Sequence, residues 1–326
     1  MKRRSLLSLS SAAAFAAALP VFAQAPRVAR VGVLANFPPS DPREATGWEG
    51  WQAFTAEMKR LGWEAGRNLA IERRFAMNDR QKYIANADER VELIYAPGNL
   101  AAAAAFQATR SIPIVMHGVS AVELGYAQSL AHPGGNATGA VYQALDFTGK
   151  AFGLLKAMRP DLKKIGYSFL ADNRLGQLTF KDWQAVAGGQ NVAVVHLPEM
   201  SSMAVIAPVL AAATREGVQV LFLPTRVFLH GAGWQQISAW AIRSKVLTYA
   251  GPWARGEAAV VYGPNIAAIA RSAIAQIDRV LRGAKPADLA IEQPTRFELV
   301  INQKLIRAMG LMIPQSVLLQ ATEVIE

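Results

Sequence analysis

Apolar and polar positions alternate along the first part of the chain in a way that predicts strands and helices in turn. Residues 31–35 (VGVLA) form a continuous apolar run, which is typical of a parallel strand covered on both faces. Trp51, Phe54 and Met58 then recur at helical spacing and predict the buried face of a helix. Three more strands are predicted at residues 69–75, 91–96 and 112–116. Such alternation predicts a parallel, doubly wound sheet.

The alternation stops at a turn cluster and then starts again. Pro133, Gly134 and Gly135 mark the break. Strands beyond it are predicted at residues 165–170, 192–197, 218–223 and 246–250, with helices between them. A last amphipathic helix is predicted at residues 266–281, with Ile269 and Ile274 on its apolar face. The chain therefore holds two similar α/β units in series.

These patterns predict an α/β fold of two doubly wound parallel-sheet lobes joined by a hinge. We assign residues 24–141 and 264–326 to the N-terminal lobe and residues 142–263 to the C-terminal lobe. With two crossings between the lobes, the helix at residues 266–281 should pack on the N-terminal lobe. Short, tight crossings suit a hinge better than they suit independently tethered domains.

The first residues carry the pattern of a cleavable export signal. Lys2, Arg3 and Arg4 form a basic start, and residues 6–22 form an apolar, alanine-rich run. That run is shorter than the ~20 residues of a membrane-spanning helix, which argues against a membrane anchor. We expect cleavage after Ala23 and a periplasmic mature protein. The arginine pair leaves open whether export is Sec or twin-arginine.

Composition and charge narrow the classes of partner. The formal net charge of +10 falls to +7 once Lys2, Arg3 and Arg4 leave with the signal. The remaining cations are scattered, so we expect a solvated surface and no nucleic-acid partner. The absence of cysteine excludes disulfides, thiolate metal sites and a lipidated cysteine at the cleavage point. The 303 residues left of 326 after cleavage fit about two domains.

Sequence motifs for catalysis are missing. The four histidines are far apart and show no metal-ligand spacing. The segment around His117 (HGVSAV) lacks the second glycine of a nucleophile elbow. The glycines at Gly231 and Gly233 lack the third member of a dinucleotide-binding fingerprint. We therefore expect a protein that is not an enzyme and that needs no cofactor and no metal.

Four stretches carry a resemblance to a known family. The C-terminal stretch reads GAKPADLAIEQPTRFELVINQKLIRAMGLMIPQSVLLQATEVIE, and LGWEAGRNLAIERRFA, ATRSIPIVM and SLAHPGGNATG precede it. They resemble the tryptophan/tyrosine-binding type of ABC transporter substrate-binding proteins, in the type I periplasmic binding protein clan. The resemblance implies a monomeric, periplasmic binding component of an ABC-type importer. Its partners would be an ABC permease in the inner membrane and a small organic solute, an amino acid or aromatic acid.

The resemblance also implies a ligand cleft between the lobes, where parallel strands present their carboxyl ends. Eleven candidate ligand-binding residues follow from that rule: Asn36, Phe37, Gly98, Asn99, His117, Gly118, Asp172, Asn173, Thr225, Arg226 and Trp253. Tyr262 is a twelfth candidate because it lies near the expected return crossing between the lobes. Trp253 and Tyr262 would stack on a ring, and either Arg226 or exposed amides at a helix N-terminus would take a carboxylate. Each has a plainer alternative as a helix cap, a turn residue or a solvated charge.

Two alternatives remain open from the sequence. One is a secreted α/β enzyme such as a hydrolase, and the other is a ligand-sensing protein that feeds a receptor. Catalytic groups can be assembled from distant residues, so missing motifs lower the odds of catalysis without excluding it. An enzyme would turn over a substrate, whereas a binding protein would bind stoichiometrically and close without turnover.

Overall fold

The computed structural model describes residues 27–35, 51–75, 90–142, 144–224 and 231–326. Two sheets organise this part of the chain, one of five strands and one of seven. The strands are β1 Ala29–Ala35, β2 Leu69–Phe75, β3 Leu93–Pro97, β4 Ile114–His117, β5 Ala137–Ala140, β6 Lys164–Phe169, β7 Ala193–Pro198, β8 Val220–Leu223, β9 Leu247–Ala250, β10 Val260–Pro264, β11 Phe297–Asn302 and β12 Glu323–Ile325. The α-helices are α1 Trp51–Arg60, α2 Gly98–Ala108, α3 Thr148–Met158, α4 Arg174–Gly188, α5 Met203–Arg215, α6 Ala232–Ser244, α7 Ile266–Leu281, α8 Gln303–Ala308 and α9 Gln315–Leu318.

The five-stranded sheet forms the first lobe and is parallel throughout, in the order β2-β1-β3-β4-β5. Successive residues of β3 face opposite sides, so Leu93 and Ile94 enter different core clusters. Helix α2 covers one face, and α1 and α7 cover the other. Apolar residues on both faces explain why the strands read as continuous apolar runs.

Helix α7 packs on this first sheet. Ile269, Ile274 and Ile277 are buried in one cluster with Val31 and Leu93. The spacing of its apolar residues gives the helix one buried face, and Asn265 caps its N-terminus by accepting a hydrogen bond from the backbone N–H of Ala268 at 2.7 Å. These contacts agree with the prediction that the chain returns to the first lobe at this helix.

The seven-stranded sheet forms the second lobe, in the order β12-β11-β10-β9-β8-β6-β7. Its first five strands in the chain repeat the order of the first lobe, which confirms the predicted α/β class of two parallel-sheet lobes. One pair departs from the prediction, because β10 and β11 are antiparallel. In such sheets the point where strand order reverses, here between β6 and β8, is where ligands bind.

The C-terminal residues correct the predicted lobe boundaries. Residues 264–326 were expected in the first lobe, but β11 and β12 extend the second sheet. The physical reason is that β10 offers a free edge, which β11 fills while burying Leu299, Val300 and Ile301. The first lobe therefore contains α7 and the segment that follows it, up to about Glu292. The backbone of Glu292 pairs with that of Ala140, the last residue of β5.

The chain crosses between the lobes three times, where two crossings were expected. The crossings lie near residues 141–147, 264–266 and 292–297 and run side by side. The Val141 N–H donates to the Glu292 carbonyl at 2.9 Å, and the Asn265 N–H donates to the Arg296 carbonyl at 2.9 Å. Backbone hydrogen bonds thus tie all three crossings together.

The predicted signal at residues 1–23 lies outside the described residues. Within the part of the chain that is described, none of the helices has the length and apolarity needed to cross a membrane.

Candidate ligand-binding site

A cavity of about 150 Å³ lies between the two lobes, mostly against the second. It is placed over the carboxyl ends of β6, β8 and β9, at the strand-order reversal of the second sheet. Nine of its lining residues are aromatic: Tyr142, Phe147, Tyr167, Phe169, Trp183, Phe222, Tyr249, Trp253 and Tyr262. A cavity of roughly this volume holds a benzene-sized molecule.

The floor of the cavity is a row of rings on neighbouring parallel strands. The register pairs Tyr167 with Phe222 and Phe222 with Tyr249. The ring centroids are 4.6 Å apart in the first pair and 4.5 Å apart in the second. Trp183 of α4 lies beside this row, with its centroid 5.0 Å from that of Phe222. Such pairs contribute about 0.5–1.5 kcal/mol each beyond area burial, so the ring contacts stabilise the floor.

The tyrosine hydroxyls of the floor already have partners. The Tyr167 hydroxyl lies 2.6 Å from Thr179 Oγ1, and the Tyr249 hydroxyl donates to the Tyr262 carbonyl at 3.4 Å. Burial raises the pKa of both tyrosines, and it also raises the pKa of Tyr262. All three phenols are therefore neutral around neutral pH, and the floor is an uncharged aromatic surface.

The crossings supply a second aromatic group at the edge of the cavity. Tyr262 of β10 stacks on Phe297 with centroids 5.9 Å apart, and Phe147 of the first crossing meets Tyr262 edge-on at 6.3 Å. Tyr142 lies edge-on to Phe147 at 6.1 Å. These rings belong to the segments that join the lobes, so any change in the angle between the lobes would rearrange this edge.

Asn99 and Asn173 place amide groups on the cavity from opposite lobes. Asn173 is the N-cap of α4, and its Oδ1 accepts a hydrogen bond from the Gly176 N–H at 3.0 Å. Asn99 lies in the first turn of α2, and its Oδ1 is buried without a hydrogen-bond partner among the described residues. A buried amide oxygen without a partner costs free energy, so Asn99 is ready to accept from a ligand.

The structure brings four of the twelve predicted residues to the cavity: Asn99, Asn173, Trp253 and Tyr262. Four others are described but are not among the lining residues: Gly98, His117, Gly118 and Asp172. The remaining four lie outside the described residues: Asn36, Phe37, Thr225 and Arg226. Ligand contact by any of the twelve stays a prediction.

His117 is part of the core of the first lobe. It is 2% exposed, and its Nδ1 lies 2.8 Å from the Tyr95 hydroxyl, with the two rings stacked. Burial lowers the pKa of His117 to about 3, so the imidazole is neutral at neutral pH. Gly118 follows with φ +62°, and its N–H donates to the Ala140 carbonyl at 3.0 Å. Asp172 is exposed at the surface.

Sequence reasoning missed the aromatic floor. Tyr167, Phe222 and Tyr249 lie inside predicted strands, where a large ring is expected to be core. The signal that was available is their position: each lies within the last three residues of a parallel strand, next to the end where ligands bind. Trp183 gave no such signal, because it lies in the middle of α4.

Three comparisons with known proteins bear on this fold. A protein-family model described as ABC transporter substrate binding protein matches residues 49–325. A conserved domain protein from Vibrio cholerae has a solved structure with a TM-score of 0.80 and 20% identity, covering 91% of this chain and 100% of that one. The ABC domain in complex with L-Trp from Streptococcus pneumoniae superposes with a TM-score of 0.77 and 22% identity, again covering 91% and 100%.

A tyrosine-binding protein of Clostridioides difficile (strain R20291) is 36% identical over 121 residues. That match covers 35% of this chain and 34% of the relative, so the two share about a third of their lengths. The family match spans most of the chain, both lobes included. The chain belongs to the family of ABC transporter substrate-binding proteins, and the resemblance seen in its sequence is confirmed.

Proposed function

We propose that this protein is the periplasmic solute-binding component of an ABC-type importer and that it captures a small aromatic solute between its lobes. The observation that carries the proposal is the aromatic cavity at the strand-order reversal of the second lobe. Ring faces and edges around a cavity of about 150 Å³ favour a flat, apolar ligand through stacking and edge-on contacts. An aromatic amino acid or aromatic acid fits this chemistry.

The relatives support the same ligand class. One is named a tyrosine-binding protein, and one was solved in complex with L-Trp. The family match supports delivery to a membrane permease, and the signal pattern at residues 1–23 supports export.

Capture by both lobes is supported by the position of the cavity. Asn99 reaches it from the first lobe and Asn173 from the second. Leu175, the second residue of α4, packs against the core of the first lobe. A ligand that contacts both lobes favours their closed arrangement by as much as its affinity differs between the open and closed states.

Binding without turnover is supported by the chemistry of the described lining residues. Their titratable side chains are tyrosines, and burial raises the pKa of Tyr167, Tyr249 and Tyr262 above the range of an acid or base that works near neutral pH. Among the described residues, no group of three or more histidine, aspartate or glutamate side chains could hold a metal ion.

The test is a thermal-shift screen of the mature protein with aromatic amino acids, aromatic acids and aliphatic amino acids of similar size. An aromatic ligand at one hundred times its Kd should stabilise the fold by about 2.7 kcal/mol. X-ray scattering should then show a smaller radius of gyration with ligand than without it. Mass spectrometry after long incubation should recover the ligand unchanged. Preference for the aliphatic compounds would overturn the ligand class, and conversion of the ligand would favour the enzyme alternative.

A further inference from the structure

We infer that the Tyr167 hydroxyl determines which aromatic ligand the interlobe cavity prefers, because its oxygen accepts a hydrogen bond from an N–H or O–H group on the ligand's ring. The inference rests on the proposed function and deepens it, since it names the residue that distinguishes one aromatic ligand from another. A ring that carries such a donor should bind in preference to the same ring without one.

The direction of the hydrogen bond between Tyr167 and Thr179 follows from the other partners of Thr179. Thr179 Oγ1 lies 2.6 Å from the Tyr167 hydroxyl. It also lies 2.8 Å from the carbonyl oxygen of Leu175 and 3.2 Å from that of Gly176. A threonine hydroxyl has one hydrogen, and a carbonyl oxygen can only accept. The Thr179 hydrogen therefore points to the carbonyls of the preceding helical turn, and the Tyr167 hydroxyl donates to Thr179.

A Tyr167 hydroxyl that donates to Thr179 keeps its oxygen as an acceptor. A phenolic oxygen can accept while its hydrogen is donated, and a hydroxyl that donates is polarised, so that its oxygen accepts more strongly. Both residues line the cavity, which places this acceptor at the cavity wall. Burial raises the pKa of Tyr167, so the phenol keeps its hydrogen, and the hydrogen bond its direction, near neutral pH.

The neighbours of Tyr167 restrain the position of its hydroxyl. The Tyr167 ring meets those of Phe169 and Phe222 edge-on, with centroids 5.3 and 4.6 Å away. Gly176 lets the first turn of α4 lie against the end of β6, because a methyl group at this position would come 2.4 Å from Phe169 Cδ2. This close approach brings Thr179 to the Tyr167 hydroxyl. A group that is already held in place loses little entropy when a ligand binds to it.

The second tyrosine hydroxyl of the floor is less suited to the same role. Tyr249 donates to the Tyr262 carbonyl oxygen at 3.4 Å, which is a long and weak hydrogen bond. Such a bond directs the hydroxyl less firmly than the 2.6 Å contact directs that of Tyr167. The donor on the ligand's ring is therefore assigned to Tyr167, and Tyr249 provides a comparison in the test.

The experiment is calorimetric titration of the mature protein with pairs of ligands that differ in the ring donor. L-tyrosine is paired with L-phenylalanine, and L-tryptophan with its benzothiophene analogue, which has sulfur in place of the ring N–H. The matching 3-arylpropionates replace these amino acids should the screen favour acids. In the ring series that binds more tightly, the member with the donor should bind at least about threefold better than its partner. In Tyr167→Phe this ratio should fall at least about fivefold, because the buried donor of the ligand then has no acceptor.

Two variants separate a role in specificity from a role in stability. Tyr95→Phe is the matched control, because it removes a tyrosine hydroxyl that is hydrogen-bonded to His117 in the core of the first lobe, away from the cavity lining. It should leave the ratio unchanged. Thr179→Val frees the Tyr167 hydrogen to point to the ligand. In this variant L-3-(4-pyridyl)alanine, whose ring nitrogen accepts, should gain at least about threefold relative to L-phenylalanine above neutral pH.

Equal or tighter binding of the member without a donor would overturn the inference and leave the aromatic cavity standing. The inference would also be overturned by an unchanged ratio in Tyr167→Phe, by the same fall in Tyr95→Phe, or by a larger fall in Tyr249→Phe. If Tyr167→Phe does not fold, Thr179→Val decides, and a pyridyl compound that gains nothing there would overturn the inference. Failure of every compound to bind would overturn the proposed function, and the inference with it.

Discussion

Asn99 and Asn173 should respond in opposite ways to the same substitution, although both line the cavity from a helix N-terminus. Asn173→Ala removes the N-cap hydrogen bond to the Gly176 N–H. The loss of such a cap costs about 1 kcal/mol of folding free energy. Asn99→Ala removes a buried oxygen that has no partner among the described residues, and so removes a cost.

The magnitude for Asn99 follows from the cost of an unsatisfied buried polar group, about 1–3 kcal/mol. Part of that gain is offset by the packing that the side chain loses. We therefore expect Asn99→Ala to raise the free energy of unfolding of the ligand-free protein by up to about 1 kcal/mol. With ligand bound, the same substitution should lose one neutral hydrogen bond, which weakens binding roughly 3- to 10-fold.

The assay is urea denaturation of both variants without ligand, followed by titration with whichever aromatic compound the screen identifies. A stabilised Asn99→Ala protein that binds more weakly would support the assignment of Asn99 as a ligand contact. If Asn99→Ala instead lowers the free energy of unfolding by more than about 1 kcal/mol and leaves affinity unchanged, then Asn99 is structural and the reasoning is refuted.

Two further predictions concern the floor and the core. Phe222→Leu removes contacts with three neighbouring rings, whereas Phe106→Leu, at the same 8% exposure in the first lobe, removes one with Tyr126. Phe222→Leu therefore loses two more ring pairs than Phe106→Leu does. At about 0.5–1.5 kcal/mol per pair, urea titration should show Phe222→Leu to be the less stable variant by about 1–3 kcal/mol. Phe222→Leu alone should weaken ligand binding, and equal losses of stability in the two variants would contradict this reasoning. For His117, the folded pKa of about 3 lies below the ordinary value of 6.5, so only the unfolded chain takes up a proton as pH falls between those values. Because of this group, the free energy of unfolding should fall by about 1.4 kcal/mol for each unit by which the pH is lowered. A His117→Asn variant should lose this contribution. If the pH dependence of its free energy of unfolding between pH 6 and 4.5 is unchanged, the reasoning is wrong.

Much of the fold could be predicted because buried parallel strands leave a strong pattern. β1, β3 and β8 are largely apolar runs, and each was predicted within one or two residues. β5 was missed because its sequence, ATGA, has small residues and follows directly on a turn cluster. β11 was missed because its partner β10 lies about 35 residues earlier, so its pairing leaves no local signal.

The site could be predicted only in part, for a related reason. The rule that ligands bind at the carboxyl ends of parallel strands led to Asn99, Asn173 and Trp253, which follow strands and line the cavity. Tyr262, predicted from its place near the return crossing, lies within β10 and lines the cavity as well. The rings of Tyr167, Phe222 and Tyr249 are read in a sequence as core residues, and in the structure they are core and lining at once. Sequence periodicity reports burial but does not say whether a buried ring faces a neighbour or a cavity.

The three crossings have a consequence for how the protein is made. Neither lobe is one continuous stretch of chain: the first needs α7 and the second needs β11 and β12. A fragment ending after β10 would leave that strand as an open edge, which is a template for aggregation. The pairing of β10 with β11 and of β11 with β12 forms only when the last residues are available. Such long-range closure slows folding, because the entropy of closing the long loops is lost before the last strands can pair.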